Sequence, residues 1–447
     1  MRDEELAVES IKKLFMKFAL PAVVGCIIGG VQTIIDGYFI GNVVGRLGLA
    51  SLTLSYPLLI GVIAVAMLMG TGCAALVALE LGKGNQKQAH RIASNLIPMM
   101  LAAGLLFAFI GILFTGPLLK LAGATDLIFD MANDYLKIMF LGSIFPIMGI
   151  CLDPLVRNDG RPSFAMKMMI MSAVNNMILD YLFVMKWGMG MQGAAIATVM
   201  AFGASAIVYI LYFFSGYARL RLHLFDISID PKIISGISRT GFPAFVMMLS
   251  LAVLVLSYNH ILLKYGSEVA VSSYGIIEYT FSIFYMIFEG ISAGAQPIIG
   301  FNYGAKLYNR VYSILKLATT SCVIVGFLGF MLIYKFPENI VNFFNSNDPK
   351  LLETAVAGIR IFMFGILFEG IIIMAAVYYQ SVNKVNAALF IQLGKIFVFI
   401  LPLLFILPLY LGLTGAWMAA PIGNSIMFSV VAFMLVREAK FLKNPHY

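Results

Sequence analysis

The sequence predicts an all-α polytopic membrane protein, twelve transmembrane helices in two pseudo-symmetric six-helix bundles, and three observations lead there. Of the 447 residues, 61% are hydrophobic and only 12% charged, about half the charged share of an ordinary soluble domain. Apolar runs of roughly 20 residues, enough to cross ~30 Å of hydrocarbon at 1.5 Å per residue, recur along the whole chain. The chain also matches itself at an offset near 220 residues.

In chain order the first six runs cover 18–40, 50–79, 92–114, 134–156, 164–186 and 193–215. The second six cover 241–263, 271–297, 313–334, 357–380, 386–410 and 414–436. None shows the strict alternation of barrel strands, so helices satisfy the backbone in lipid. Met1 to Lys17 reads as a charged amphipathic lead-in without the order of a cleavable secretory signal. The domain boundaries expected are 1–215 for the first bundle, 216–239 for a charged cytoplasmic connector and 240–447 for the second bundle.

A formal charge of +8 suggests a nucleic-acid partner until the basic residues are placed. With the N-terminus inside, 21 of the 30 lysines and arginines fall in cytoplasmic segments. The charge then follows the positive-inside rule, puts both termini in the cytoplasm and predicts the lipid bilayer, not nucleic acid, as partner. Cys26, Cys73, Cys151 and Cys322 all fall inside runs without metal-ligand spacing and read as small apolar fillers.

The repeat locates the chemistry. Phe18-Ala19-Leu20-Pro21-Ala22 matches Thr240-Gly241-Phe242-Pro243-Ala244, and Gly193-Ala194-Ala195 matches Gly415-Ala416-Trp417. Six spans per half is an even number, so the halves share one orientation, and the route between them is the expected substrate path. Residues shared by both halves encode the fold, so polar residues present in one half only are the functional candidates. At an offset of 222, Asp36 stands opposite Tyr258, Asn176 opposite Val398, Asp180 opposite Pro402 and Thr198 opposite Ala420.

Depth groups those four. Asp36 lies four residues before the outer end of span 1, about 6 Å at helical rise. Asn176 and Asp180 share one face of span 5 at i, i+4. Thr198 comes five residues into span 6, so all four occupy the outer half of the first bundle. A carboxylate there costs several kcal/mol unless paired, protonated or ion-bound. Two carboxylates, an amide oxygen and a hydroxyl suit a bare Na⁺ or a shared proton; the alternative is a purely structural hydrogen-bond network.

These residues resemble the multidrug and toxic compound extrusion (MATE) family, on its bacterial DinF/MepA-like branch, over nearly the whole chain. The pieces that carry the resemblance are Gln32-Thr33-Ile34-Ile35-Asp36 leading to Phe39-Ile40-Gly41, and Asn176-Met177-Ile178-Leu179-Asp180. Gly193-Ala194-Ala195-Ile196-Ala197-Thr198 and Gln296-Pro297-Ile298-Ile299-Gly300-Phe301-Asn302-Tyr303-Gly304 complete it. The resemblance implies a 6+6 bundle that alternates access and exports organic, often cationic, compounds against inward Na⁺ or H⁺ flow. It implies that Asp36, Asn176, Asp180 and Thr198 form the coupling-ion site, with Gln32 and Tyr135 as accessory residues. Tyr135 reads equally well as an interfacial aromatic anchor.

Other intramembrane charges are Glu278 and Glu289 in span 8, Glu369 in span 10 and Lys395 in span 11. Glu369 and Lys395 both fall near midspan, which suggests a neutralising pair or a lining of the substrate path. Glu278 and Glu289 are eleven residues apart on one helical face. Tyr274, Phe281, Tyr285 and Phe288 recur beside them, a frame suited to an organic cation, or else ordinary packing aromatics. The 27 methionines could soften such a pocket or be ordinary packing.

Gly188-Met189-Gly190-Met191-Gln192-Gly193 matches a dinucleotide fingerprint but joins two membrane helices without a preceding strand. No Walker loop is present to bind ATP, no filter loop suggests a channel, and His90, His223, His260 and His446 are scattered, against a membrane enzyme. The expectation is a multi-pass plasma-membrane antiporter, working as a monomer, with no cofactor beyond the coupling ion and small organic molecules as substrates. A lipid-linked precursor flippase of the same superfamily is the alternative, disfavoured by the central acids and the lone Lys395.

Overall fold

The computed structural model describes residues 3–220, 229–344 and 348–444. Arg2, Arg221, His223 and His446 lie outside the described residues. Within them the secondary structure is helical throughout, as expected of apolar segments that must satisfy every backbone group internally.

The first half contains Ile11–Val43, Arg46–Gly82, Gln86–Leu113, a bent pair Asp126–Leu141 and Ile144–Asn158, Pro162–Lys186, and Gly190–Phe214. The second contains Pro231–Gly304, Tyr308–Lys335, Pro349–Ser381 and Val385–Lys443. Two of these are too long to be single crossings, since 74 residues would extend about 110 Å at helical rise.

Each long segment reverses at one residue. Ser267 (φ 67°) interrupts Pro231–Gly304, and the Tyr258 and Tyr274 rings stack across the break at 4.8 Å, where a straight helix would hold them about 24 Å apart. Gly412 (φ 56°) interrupts Val385–Lys443, and a side-chain carbon on Gly415 would collide with the backbone of Leu407 and Pro408. Counting both reversals, the described chain crosses twelve times.

The duplication is visible in the turns. Left-handed residues of the second half, Ser267, Lys306 and Gly412, fall 222 positions after Gly45, Gly84 and Gly190, which are also left-handed. Asn383 follows Gly160 at an offset of 223. At Ser267 and Lys306 the second half has therefore traded glycine for a side chain, at a strain of roughly 1–2 kcal/mol each. A short helix follows each third span, Thr115–Leu121 in the first half and Pro337–Phe344 in the second.

The chain divides into two compact units, but not at the connector. The first unit comprises 1–8 and 24–249; the second comprises 9–23 and 250–447. The opening of span 1 thus belongs to the second unit, and the opening of span 7 to the first. Bare backbone explains both attachments. A Cβ on Gly241 would strike the Leu68 carbonyl, and one on Gly290 would strike the backbone of Val23; helices approach this closely in membranes where a small residue leaves the space. The amphipathic lead-in is helical from Ile11 and continuous with span 1, with Leu14, Phe15 and Phe18 buried and Lys12, Lys13 and Lys17 exposed.

Candidate functional site

Three spans of the first unit bring the one-sided polar residues together. Asp36 sits in Ile11–Val43, Asn176 and Asp180 end the α-helical part of span 5, Pro162–Asp180, and Thr198 lies two turns into Gly190–Phe214. Directly after Asp180 the helix widens to a π-helix, Tyr181–Lys186, a departure from α geometry that recurs at functional positions.

Asn176 is 0%, Asp180 1% and Thr198 8% exposed; Asp36 is half-buried. The Asn176 amide donates to the Thr198 hydroxyl at 3.4 Å, and that hydroxyl donates to the Ala194 carbonyl at 3.0 Å. This chain of donors fixes the amide so that its oxygen faces away from Thr198. The Asp36 and Asp180 carboxyls lie within hydrogen-bonding reach of one another. As two carboxylates neither can donate.

The consequence is a set of buried acceptors with nothing to accept from. Asp36 Oδ1, Asn176 Oδ1 and both Asp180 oxygens have no hydrogen-bond partner. Each such orphan costs ~1–3 kcal/mol, more when charged. A monovalent cation could be ligated by several of them at once, whereas a proton shared between the acids would satisfy one oxygen of each; the donor chemistry, all hard oxygen, suits either.

Tyr135 is 6% exposed and within electrostatic reach of Asp36, Asp180 and Tyr56. Its helix starts at Asp126, eight residues before the expected beginning of the span at 134, and Tyr135 is a buried neighbour of the acids. Gln32 lies one turn before Asp36 on the same helix.

In the second unit, Lys395 is ion-paired with Glu369, and Asn424 donates to the other Glu369 oxygen at 2.9 Å. Glu278 feels the charges of both Glu369 and Lys395. Phe288 is fully buried, filling the space left by Gly326 and Gly370. Tyr274 is enclosed by Tyr258, Phe362 and Trp417. For these two rings the arrangement matches the packing alternative of the sequence reading. Phe281 packs edge-on to Phe362 at 5.9 Å and is half-buried, as are Tyr285 and Glu289.

Sequence reasoning missed Tyr56 and Asn424. Both carried a signal in the repeat. Tyr56 stands opposite Glu278, so matched spans hold polar groups of different chemistry, and Asn424 stands opposite Phe202, polar in one half only. Of the dinucleotide-like glycines, Gly188 and Gly190 form the left-handed turn between spans 5 and 6, and Gly193 lies in the first turn of the helix that follows.

Comparison with known proteins bears on this arrangement. The MatE family model matches residues 21–182 and 243–406. The chain is 26% identical over 438 residues, 97% of its length and 96% of the relative's, to the multidrug export protein MepA of Staphylococcus haemolyticus. Among solved structures it resembles the MATE multidrug transporter DinF-BH, with a TM-score of 0.90, 32% identity and 96% of both chains covered. A MOP superfamily transporter from Pyrococcus furiosus shares the fold, with a TM-score of 0.93 at 19% identity over 99% of both chains.

Proposed function

This chain belongs to the MatE family of transporters, a multi-pass membrane protein and not an enzyme, and on that premise we propose that it is a secondary active antiporter. It exports organic, cationic compounds by alternating access in exchange for inward Na⁺ or H⁺. The ion binds at Asp36, Asn176, Asp180 and Thr198, and Tyr135 and Gln32 shape its surroundings. The observation that carries this reading is the group of buried, unpartnered oxygens on Asp36, Asn176 and Asp180.

A family resemblance alone would not require those atoms to be unsatisfied. A structural network would pair its acceptors with donors, whereas the atoms left unpaired on Asp36, Asn176 and Asp180 are all acceptors. The acids therefore favour whichever cation arrives. Binding there gives the ion a differential affinity between conformations, and this is what couples its gradient to export. For the exported cation, Glu289 with Phe281 and Tyr285 along one face of span 8 supplies charge and aromatic surface. The basic bias of the connector and termini supports placing both termini in the cytoplasm, and the bacterial MepA relatives support the plasma membrane as the location; a single chain is the proposed working unit.

The test is efflux of a fluorescent organic cation from proteoliposomes under an imposed Na⁺ gradient and then under a pH gradient. Transport driven by one gradient and lost in Asp36→Asn and Asp180→Asn is expected, and it names the ion. Wild-type rates in both variants would remove the coupling role from these residues.

A further inference from the structure

Span 11 is the repeat counterpart of span 5, and it too abandons α geometry at its intramembrane charge. Its π-helical stretch, Gly394–Ile400, contains Lys395, as the π-helix of span 5 begins next to Asp180. Insertions of this kind persist where a function needs them. The groups around Lys395 repeat the chemistry of the first unit's site in other residues.

Glu369 is 1% exposed and uses one oxygen for the Lys395 ammonium and the other for the Asn424 amide. Asn424, itself 3% exposed, keeps its amide oxygen buried and without a partner. The Glu278 carboxylate completes the group, within electrostatic reach of both Glu369 and Lys395. Two carboxylates and an orphaned amide oxygen are also what Asp36, Asp180 and Asn176 provide. The difference is that here a positive charge is covalently attached to the protein.

We propose that the Lys395 ammonium is a tethered cation that permanently occupies an oxygen site in the second unit, a site that takes a monovalent cation once the ammonium is removed. A lysine ammonium is a compact point charge on a flexible stem, so it can fill a place among oxygens that a metal ion would otherwise fill. The native second unit then exchanges no ion at this place, and ion exchange is confined to the first unit. This last step rests on the coupling site proposed above; the occupancy itself does not.

The experiment measures radioactive sodium binding and thermal unfolding of the purified full-length protein in sodium or choline chloride. Lys395→Met removes the charge while keeping the stem. It is expected to bind about one more sodium per chain than the wild type and to unfold about 2 °C or more higher in sodium than in choline. Lys395→Arg, which keeps the charge, is expected to behave as the wild type. The gain should persist when Asp36→Asn is added to Lys395→Met, which separates it from the first unit's site. If Asp36 proves irrelevant to transport, the sodium gain still stands or falls alone. A folded Lys395→Met that binds no additional sodium overturns the proposal. So does a Lys395→Met that unfolds alike in both salts while Lys395→Met/Glu369→Gln folds, because the lysine is then a counter-charge no ion can replace.

Discussion

The two halves of this transporter share turns, short helices and helix order, yet at the four matched positions one half holds Asp36, Asn176, Asp180 and Thr198 and the other Tyr258, Val398, Pro402 and Ala420. Where the first unit has Asp36, the second has Tyr258, 0% exposed, stacked on Tyr274 at 4.8 Å with Phe362 edge-on at 5.9 Å. Where the first has Thr198, the second has Ala420, 6% exposed. Aromatic contacts of this kind stabilise by ~0.5–1.5 kcal/mol beyond the area they bury, while each orphaned oxygen destabilises by ~1–3 kcal/mol. The second half is not free of that cost, since the Tyr258 and Tyr274 hydroxyls and the Asn424 amide oxygen are also buried without partners. The difference is that its rings pack on one another, whereas the orphaned oxygens of the first half sit on Asp36, Asn176 and Asp180, where one bound cation could meet several of them. Duplication allowed this division, because one copy could keep the scaffold rigid while the other kept its oxygens open for chemistry.

The largest expected effect breaks the comparison from the second unit's side. Glu369→Gln leaves the Lys395 ammonium buried without its carboxylate, and removing one member of a buried pair costs about 3–5 kcal/mol. Glu278 remains within reach of the ammonium, so the lower end, ~3 kcal/mol, is expected as a fall in thermal stability in detergent. Double substitution of Glu369→Gln with Lys395→Met should recover most of that loss. A Glu369→Gln protein as stable as the wild type would mean that the ion pair is not what holds spans 10 and 11 together.

A smaller effect sharpens the first unit's side. Thr198→Ala removes the acceptor that orients the Asn176 amide, while the acids stay in place. Loss of one neutral hydrogen bond is worth ~1 kcal/mol, or about a fivefold rise in the ion concentration that gives half-maximal transport. Stability should change little, since the alanine of the second half, Ala420, shows that the scaffold tolerates a methyl group there. If the half-maximal concentration is unchanged, Asn176 is held by its helix alone and Thr198 leaves the site.

Much of this was legible in the amino-acid sequence, for identifiable reasons. Span length is set by hydrocarbon thickness, so apolar runs located the crossings, and the repeat isolated Asp36, Asn176, Asp180 and Thr198 because each breaks it. Hydropathy could not show that the lead-in and span 1 are one helix from Ile11, because Lys12, Lys13 and Lys17 interrupt the apolar run before a buried face, Leu14, Phe15 and Phe18, that belongs to the second unit. It could not show that span 4 is bent by 52° between Leu141 and Ile144, or that Tyr135 lies buried beside the acids. Nor could it separate Phe288 and Tyr274 from a binding surface, since a ring that fills a glycine notch and a ring that faces a ligand have the same pattern in one dimension.

The smallest effect decides how deep the oxygen set reaches. Ser172 lies one turn before Asn176 on span 5, 6% exposed, and its hydroxyl has no partner. An orphaned hydroxyl that serves no ligand is a burden, so Ser172→Ala should be neutral or stabilise by up to ~1 kcal/mol, with the half-maximal ion concentration unchanged. Thermal unfolding of the purified protein and ion titration of transport measure the two quantities. A several-fold rise in the half-maximal concentration, matching that of Thr198→Ala, would instead make the Ser172 oxygen a ligand. The site would then extend a full turn further along span 5, to the residue before the repeat counterpart of Lys395 at an offset of 222. Each half would in that case hold its cation at a matching place in the repeat, the first unit a mobile one and the second a tethered one.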